Sequence, residues 1–307
     1  MARYIAKRLI VGAFTLVILV TIVFFGMRMM PGSPFAQENK SKSAEQMAML
    51  NEKYGLDKPV TEQFAIYVKN VLHGDFGESL SKKGQQVSDI IATRMPVTAK
   101  LGLIAFVFAM GMGIFLGIVS ALTRHRWINS AITVMATIGV SVPGFLLAML
   151  MMVLFSVYLG WLPVVGLDTP ASYIMPVLAL SFSPISTIAR LTRSSLRDVM
   201  FSDYITLARS KGTKESVIVV KHALKNAILP IVTYAGPMFA GMITGSLVIE
   251  TLFSIPGIGK EFTNSISNRD YTLTMGLTIL LGTLVIVMTL VSDVVAAIID
   301  PRIKVEK

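Results

Sequence analysis

The chain of 307 residues contains no cysteine, which excludes disulfide bonds, thiolate metal sites and cysteine nucleophiles. Its three histidines are far apart in the sequence, so we expect no histidine metal cluster. Only 15% of the residues are charged, against roughly 25% in soluble domains, and 53% are apolar. With a mean hydropathy of +0.68, the composition excludes a soluble globular protein and a disordered chain. Most of this polypeptide meets lipid.

Motifs of the common catalytic and energy-coupling sites are missing as well. Residues 256–261 superficially resemble a phosphate-binding loop, but Ser254 stands where its first glycine would fall and no Ser or Thr follows Lys260. We interpret this segment as a tight turn on the outer face. No nucleophile elbow or zinc-protease motif occurs. We expect no catalytic residues, no metal site and no ATP site in this chain, so a partner subunit would supply any energy.

Six runs without a charged residue are candidates to cross the roughly 30 Å of a hydrocarbon core as helices. They are Leu9 to Met27, Leu101 to Thr123, Trp127 to Leu167, Thr169 to Ala189, Asn226 to Ile249 and Tyr271 to Ser292. Their flanking carboxylates, Glu250, Asp293 and Asp300, lie at or near the ends of the runs, so no buried carboxylate is evident for proton or sodium coupling. The third run, of 41 residues, fits either two short spans or one long helix followed by an uncharged loop.

The positions of the basic residues decide between these topologies. With one span in the third run, the segments on the inner side carry sixteen Lys and Arg residues, eight of them between Arg190 and Lys225. The outer turns after spans three and five carry only Lys260 and Arg269. The positive-inside rule then predicts six spans with both termini in the cytoplasm. The net charge of +10 therefore belongs to the cytoplasmic face, and we expect no nucleic-acid partner.

Local signals refine three of these segments. The third run is predicted to be one helix from Trp127 to about Tyr158, kinked at Pro143-Gly144 and ended by residues 160–163. The first run exceeds a typical signal-peptide core and precedes no small-residue cleavage site, so we expect a retained helix. The polar segment 31–97 contains a capping-box pattern at 43–46 and a helical stretch at 60–73. We interpret it as a cap on the outer ends of the spans.

Glycines at one-turn spacing indicate where helices approach one another closely. Gly113 and Gly117 form one such pair in the second run, and Gly241 and Gly245 form another in the fifth. The pattern leaves open whether each pair packs within this chain or against a partner.

The basic segment between spans four and five is helical in pattern. Tyr204, Leu207, Ala208 and Lys211 share one face, and Gly212 is suited to a left-handed helix C-terminus. Thr213 is predicted to cap a second helix with an apolar side, formed by Val217, Val220 and Leu224. Two short helices meeting at a glycine form either a protrusion that docks in another protein or a basic pair lying on anionic lipid.

This segment resembles the EAA loop of ABC importer permeases, whose pattern is E-A-A-x3-G-x9-I-x-L-P. Ala208, Gly212 and Leu224 match it in register. Four positions depart from it: Thr206, Leu207, His222 and Lys225. A Leu-Pro pair recurs at 229–230.

Further segments extend the resemblance to nearly the whole chain. They include Pro31 to Pro34, Tyr54 to Pro59, Asp75 to Gly77, Ser141 to Phe145, Arg190 to Ser194, Ile255 to Lys260, Asn268 to Tyr271 and Asp300 to Arg302. Together they are similar to the B-type permease subunit of dipeptide/oligopeptide ABC importers.

The resemblance implies an all-α polytopic membrane protein with the type I ABC importer permease fold, in the cytoplasmic (inner) membrane of a bacterium. It implies a heterodimer with a homologous permease subunit, two ATP-binding subunits that hold ATP and Mg²⁺, and an extracytoplasmic peptide-binding protein. Coupling helices at about 198–225 would dock one ATPase, and Arg190 and Arg193 become candidates for a cytoplasmic-side gate. The docking residues implied are Tyr204, Thr206, Leu207, Ala208, Arg209, Lys211, Gly212, His222 and Leu224.

The implied organisation is residues 1–30 with the first span, the outer loop 31–97, the permease core 98–300 and a cytoplasmic tail 301–307. Uncharged Ser, Thr and Met residues of spans three to five are candidates to line a peptide path. Two alternatives stay open: a related ABC permease for nickel, opines or glutathione, and a non-ABC membrane scaffold or enzyme.

Overall fold

A computed structural model describes residues 2–29 and 44–299 of the chain, and within these ranges the only β-pairing is an isolated bridge between Glu78 and Gln86. The α-helices up to the middle of the chain are α1 Ala2–Met29, α2 Ala44–Lys53, α3 Val60–Leu72, α4 Val87–Leu122, α5 Arg126–Ser141 and α6 Gly144–Met151. Those that follow are α7 Ile174–Met200, α8 Asp203–Ser210, α9 Glu215–Val217, α10 Leu224–Ala227, α11 Leu229–Leu252, α12 Ile258–Ser267 and α13 Tyr271–Ile299. π-Helical segments cover Met152–Tyr158 and Ile218–Ala223, and a 3₁₀ turn covers Pro170–Tyr173.

Five helices in the described ranges are long and apolar enough to cross a membrane, and each contains one of the predicted runs or most of it. They are α1, α4, α7 with its preceding 3₁₀ turn, α11 and α13. The charge-free runs predicted these elements because a charged side chain inside the hydrocarbon is costly. The helices extend beyond the runs wherever polar residues continue the helix outside the apolar core, most of all at Val87, where α4 begins fourteen residues before Leu101.

The third apolar run bends at the predicted position, Pro143-Gly144, but it forms two separate helices, so the prediction of one continuous helix is wrong. α5 ends at Ser141 and α6 begins at Gly144, and the two axes differ by 105°. Pro143 disfavours the helical conformation in the residue before it, and Val142 is accordingly extended, with ψ 121°. A sixth span requires this bent pair to count as one. The predicted end of the helix at residues 160–163 is confirmed, since the π-helical segment ends at Tyr158 and Gly160 has a left-handed φ of +63°.

The chain divides into two compact units. The first comprises, among the described residues, 2–5, 99–255 and 285–299. Its central element is α7, which has twelve buried residues. A Cβ at Gly113 on α4 would lie 2.6 Å from the Ile188 Cβ on α7, and one at Gly117 would overlap Thr192 one turn further on. This glycine pair therefore packs within the chain, whereas a Cβ at Gly241 on α11 would meet nothing within 4 Å.

The second unit comprises residues 6–29, 44–98 and 256–284 of the described chain. Its polar centre is Asp270, which is 1% exposed and accepts hydrogen bonds from both the 79–81 segment and the start of α13. The Oδ atoms accept from the backbone N–H groups of Leu80 and Leu273 at 3.1 and 3.0 Å, and from the Ser81 N–H at 3.0 Å. The hydroxyls of Ser79 and Ser81 donate at 2.5 and 2.7 Å. One carboxylate thereby joins segments about 190 residues apart in sequence.

A second carboxylate, Glu261 on α12, reinforces this join. It accepts from Lys82 Nζ at 2.5 Å and lies 3.1 Å from Arg94 Nε. The sequence does not predict α12, because the pattern of residues 256–261 indicates a turn. The turn is confined to the residues before Ile258, and Gly257 is the N-cap of α12. The helical stretch predicted at 60–73 is confirmed as α3, while Ser43 of the capping-box pattern and the segments 31–34 and 300–302 lie outside the described residues.

Candidate functional site

The first arm of the basic loop is α8, which ends as the sequence predicts. Gly212 has a φ of +75°, and its N–H donates to the Arg209 carbonyl at 2.9 Å. The Thr213 N–H reaches back to the Ala208 carbonyl at 3.2 Å, so the last helical carbonyls are satisfied by the turn. A residue with a Cβ is strained at this φ, which explains the glycine.

The second arm differs from the prediction. Lys214, not Thr213, is the N-cap residue, and α9 gives way after three residues to the π-helical segment Ile218–Ala223. A π-helix places more residues in each turn and therefore rotates the side chains away from their α-helical positions. The predicted apolar side is accordingly wrong: Val220 is 63% exposed, while Ile218, Val219 and Ala223 are buried.

An apolar cluster of the first unit connects the two arms to α7. Leu196 of α7, Ile205 of α8 and Ile218, Ala223 and Ala227 of the second arm are all fully buried together. Burying a residue such as Leu or Ile contributes about 1.5–3 kcal/mol. The loop is therefore a packed helical element attached to α7.

The residues predicted to dock a partner lie mostly on the exposed side of this element. Tyr204 is 41% and Leu207 56% exposed. Five more are exposed and two are half-buried: Thr206, Arg209, Lys211, Gly212 and His222, then Ala208 and Leu224. These nine residues, which include apolar and basic side chains, define what we call the α8 patch.

Two polar contacts brace the α8 patch. Arg209 donates to Glu215 across the Gly212 turn, from Nη2 at 2.6 Å and from Nε at 3.0 Å, and these bonds raise the pKa of the guanidinium. Asn226 Nδ2 donates to the Tyr204 hydroxyl at 2.8 Å. Glu215 and Asn226 were missed from sequence. An opposite charge six residues from Arg209 across a glycine turn is the one signal that could have found Glu215.

The candidate gate residues both lie on α7, before the α8 patch. Arg190 is exposed. Arg193 is half-buried and donates from Nη1 to the Thr133 hydroxyl at 3.5 Å, while its buried Nε has no partner among the described residues. The gate assignment stays a prediction.

The first unit also contains a cavity of about 430 Å³ next to the break between α5 and α6. Among the described residues, no charged side chain lines it; the lining is formed by Gly144, Phe145, Ala179, Leu180, Ser183, Pro184, Tyr234, Pro237, Met238, Gly241, Met242, Val248 and Ile249. Ser183, Met238 and Met242 are of the types predicted to line a path. Among the described residues, no three His, Asp or Glu side chains come together as a metal site. The cavity of about 430 Å³ has room for a solute, which its lining side chains would contact.

Two family models match the chain. The one described as "Binding-protein-dependent transport system inner membrane component" matches residues 113–305, and its N-terminal companion matches residues 1–102. Among curated proteins, the oligopeptide transport system permease protein OppB of Haemophilus influenzae is 43% identical over 307 residues, covering 99% of this chain and 100% of the relative. The dipeptide transport system permease protein DppB of Bacillus subtilis is 40% identical over 307 residues, with 100% and 99% covered.

Solved structures agree on the fold. Two crystal forms of the inward-facing MetNI methionine ABC transporter match with TM-scores of 0.55 and 0.58 at 18% identity. Each match covers 68% of this chain and 96% of the other. The chain is therefore a multi-pass membrane protein with the type I ABC importer permease fold, and it belongs to the family of inner membrane components of binding-protein-dependent transport systems.

Proposed function

We propose that this chain is the channel-forming permease subunit of an ATP-driven importer of oligopeptides or dipeptides in a bacterial inner membrane. The observation that carries the proposal is identity of 40–43% over the full length of relatives named as oligopeptide and dipeptide permeases. An extracytoplasmic binding protein would deliver the peptide, and a second, homologous permease subunit would complete the channel. The chain would hold no ATP itself.

The α8 patch is proposed as the contact with one of two ATP-binding subunits, which hold ATP and Mg²⁺. Three observations support this role: the patch is exposed, it is anchored to α7 by the fully buried Leu196 and Ile205, and it is basic on the side predicted to face the cytoplasm. A partner that pushes on the patch therefore acts on a long helix of the channel. Arg190 and Arg193 lie on that same helix, which supports their proposed place at the cytoplasmic gate.

The uncharged cavity is proposed as part of the solute path. A peptide brings its own charges and varied side chains, so a lining that carries no fixed charge favours no single sequence. Selectivity would then reside in the binding protein.

The test is co-purification of this chain with the products of its neighbouring genes in mild detergent, followed by ATPase assays with the binding protein and added peptides. We expect a stable complex whose ATP hydrolysis is stimulated by peptides. Stimulation by nickel, an opine or glutathione alone would replace the substrate and keep the importer. Absence of any ATPase partner would overturn the proposal.

The docking role has a separate test in the same complex. Gly212→Trp adds a bulky side chain at an exposed turn with a φ of +75°, where a Cβ would meet nothing within 4 Å. We expect the variant to insert in the membrane and to lose the ATPase subunits. Unchanged co-purification would contradict the docking assignment. Lys69→Gln, an exposed change in the second unit, serves as the control.

A further inference from the structure

The second unit contains a cavity of about 460 Å³ lined by an arginine that has no counter-ion among the described residues. Arg28 lies in the last turn of α1, and its guanidinium stacks 3.7 Å from the centre of the Phe24 ring and 5.2 Å from that of Tyr271. Nε donates to Gln63 Oε1 at 2.9 Å, a neutral acceptor. No carboxylate of the described chain pairs with this cation.

Two hydrogen-bond donors of the cavity lining are buried without a partner. They are Arg28 Nη1 and the hydroxyl of Tyr67 on α3, neither of which has an acceptor among the described residues. Burial raises the pKa of the Tyr67 phenol, so the group keeps its proton and remains a donor. Buried donors are normally satisfied, because leaving one unpaired costs the desolvation of the group. One of these two donors belongs to the Arg28 cation itself, and an oxyanion is the group that would satisfy both.

The position of Arg28 indicates where that oxyanion comes from. α1 is a candidate membrane span over Ile5–Met29. Large apolar side chains are exposed on it up to the last turn, including Ile22, which is 65% exposed, and Met29, which is 83% exposed. A polar side chain in the last turn of a span lies at the level of the lipid headgroups. Phosphodiesters are present there at high local concentration.

The charges of the lining narrow the choice of headgroup. Besides the cations Arg28 and Lys58, it contains three carboxylates, those of Glu52, Asp75 and Glu78. A purely anionic headgroup would be repelled by these carboxylates. One that also carries an ammonium group would complement them.

We propose that this cavity binds a phosphoethanolamine lipid headgroup, with the phosphodiester at Arg28 and Tyr67 and the ammonium group at the acidic side. The binding is independent of what solute the protein carries. It would hold the last turn of α1 and helix α3 around one lipid molecule.

The test uses the full chain purified free of lipid in detergent and titrated with short-chain phosphatidylethanolamine, phosphatidylglycerol or phosphatidylcholine. Native mass spectrometry gives the bound fraction and thermal unfolding gives the lipid-dependent shift. We expect phosphatidylethanolamine to bind at least tenfold more tightly than phosphatidylglycerol. Arg28→Met, which keeps the apolar stem, should weaken this binding by about tenfold or more, since hydrogen bonds to charged groups are the stronger ones.

Tyr67→Phe separates binding from folding. It removes only a buried hydroxyl that has no partner among the described residues, so the lipid-free protein should be as stable as wild type or more so, while phosphatidylethanolamine affinity falls several-fold. Lys69→Gln, on the same helix but exposed and outside the cavity, is the matched control for loss of a positive charge. Phosphatidylethanolamine affinity unchanged in Tyr67→Phe and Arg28→Met, or equal binding of phosphatidylglycerol, would overturn the proposal.

Discussion

Replacing Asp270 by Asn should open the join between the 79–81 segment and α13 while leaving the shape of the side chain unchanged. The carboxylate accepts five hydrogen bonds, three of them from backbone N–H groups that cannot rotate away. An amide has only one accepting oxygen. If the amide NH₂ group takes the position of Oδ2, the Ser81 N–H loses its acceptor and faces another N–H donor. If it takes the position of Oδ1, the N–H groups of Leu80 and Leu273 lose theirs.

The magnitude follows from these bonds. Losing at least one hydrogen bond to a charged acceptor, and leaving a buried backbone donor unpaired, costs about 3 kcal/mol. At 1.4 kcal/mol for each factor of ten, this corresponds to roughly a hundredfold rise in local opening. Hydrogen exchange at the Leu80 and Ser81 amides, read by mass spectrometry of peptides covering 79–82, should accelerate by that factor.

Asp75→Asn is the matched control for this prediction, because Asp75 is exposed and accepts a single backbone hydrogen bond, from Gly77 at 2.8 Å. Its effect on exchange at 79–82 should be at most a few-fold. If Asp270→Asn leaves the exchange of Leu80 and Ser81 within threefold of wild type, the carboxylate does not hold the two segments together.

Three further outcomes are expected. Gly117→Leu should abolish recovery of folded protein, because its side chain would overlap atoms of α7. Gly241→Leu should be recovered at wild-type yield in size-exclusion chromatography, because a Cβ there meets nothing within 4 Å. Equal yields of the two variants would contradict the packing described. Gly212→Val should lower the free energy of unfolding of the first unit by roughly 1–2 kcal/mol, since the φ of Gly212 is +75°. Gly212→Asn should lower it by less, because Asn adopts this φ more readily than Val. A double-mutant cycle on Arg209 and Glu215 should give a coupling free energy under about 1 kcal/mol at low salt and near zero at 0.5 M salt, because both side chains are exposed. A larger coupling that does not depend on salt would disprove a surface ion pair.

The sequence predicts the long helices well because their signal is one-dimensional. A charge-free run is visible residue by residue, and the cost of a charge in lipid places the ends near it. The prediction for the third run was wrong because hydropathy carries no information on the direction of a helix axis. Pro143 separates two helices whose axes differ by 105°, where the sequence predicts one kinked helix. The turn at Gly212 was predictable because its local chemistry admits few residues.

The finer features required three-dimensional information. The π-helical segment disrupts the apolar side predicted from Val217, Val220 and Leu224, and no residue type marks it. The bonds of Asp270 join residues about 190 positions apart, so its importance cannot be derived from its neighbours in sequence. The same holds for Arg28, since its lack of a counter-ion among the described residues depends on which side chains lie around it in the folded chain.

The continuity of α7 has a mechanical consequence. With 27 residues, α7 is about 40 Å long. It packs through Ile188 and Thr192 against the glycines of α4, and near its C-terminal end Leu196 packs against the basic loop. Pro184, near its middle, removes one backbone hydrogen bond and is therefore the point of least bending stiffness. Pro184 also lines the uncharged cavity, so a sideways force on α7 near Leu196, some 15–20 Å away, would be expected to bend the helix beside that cavity.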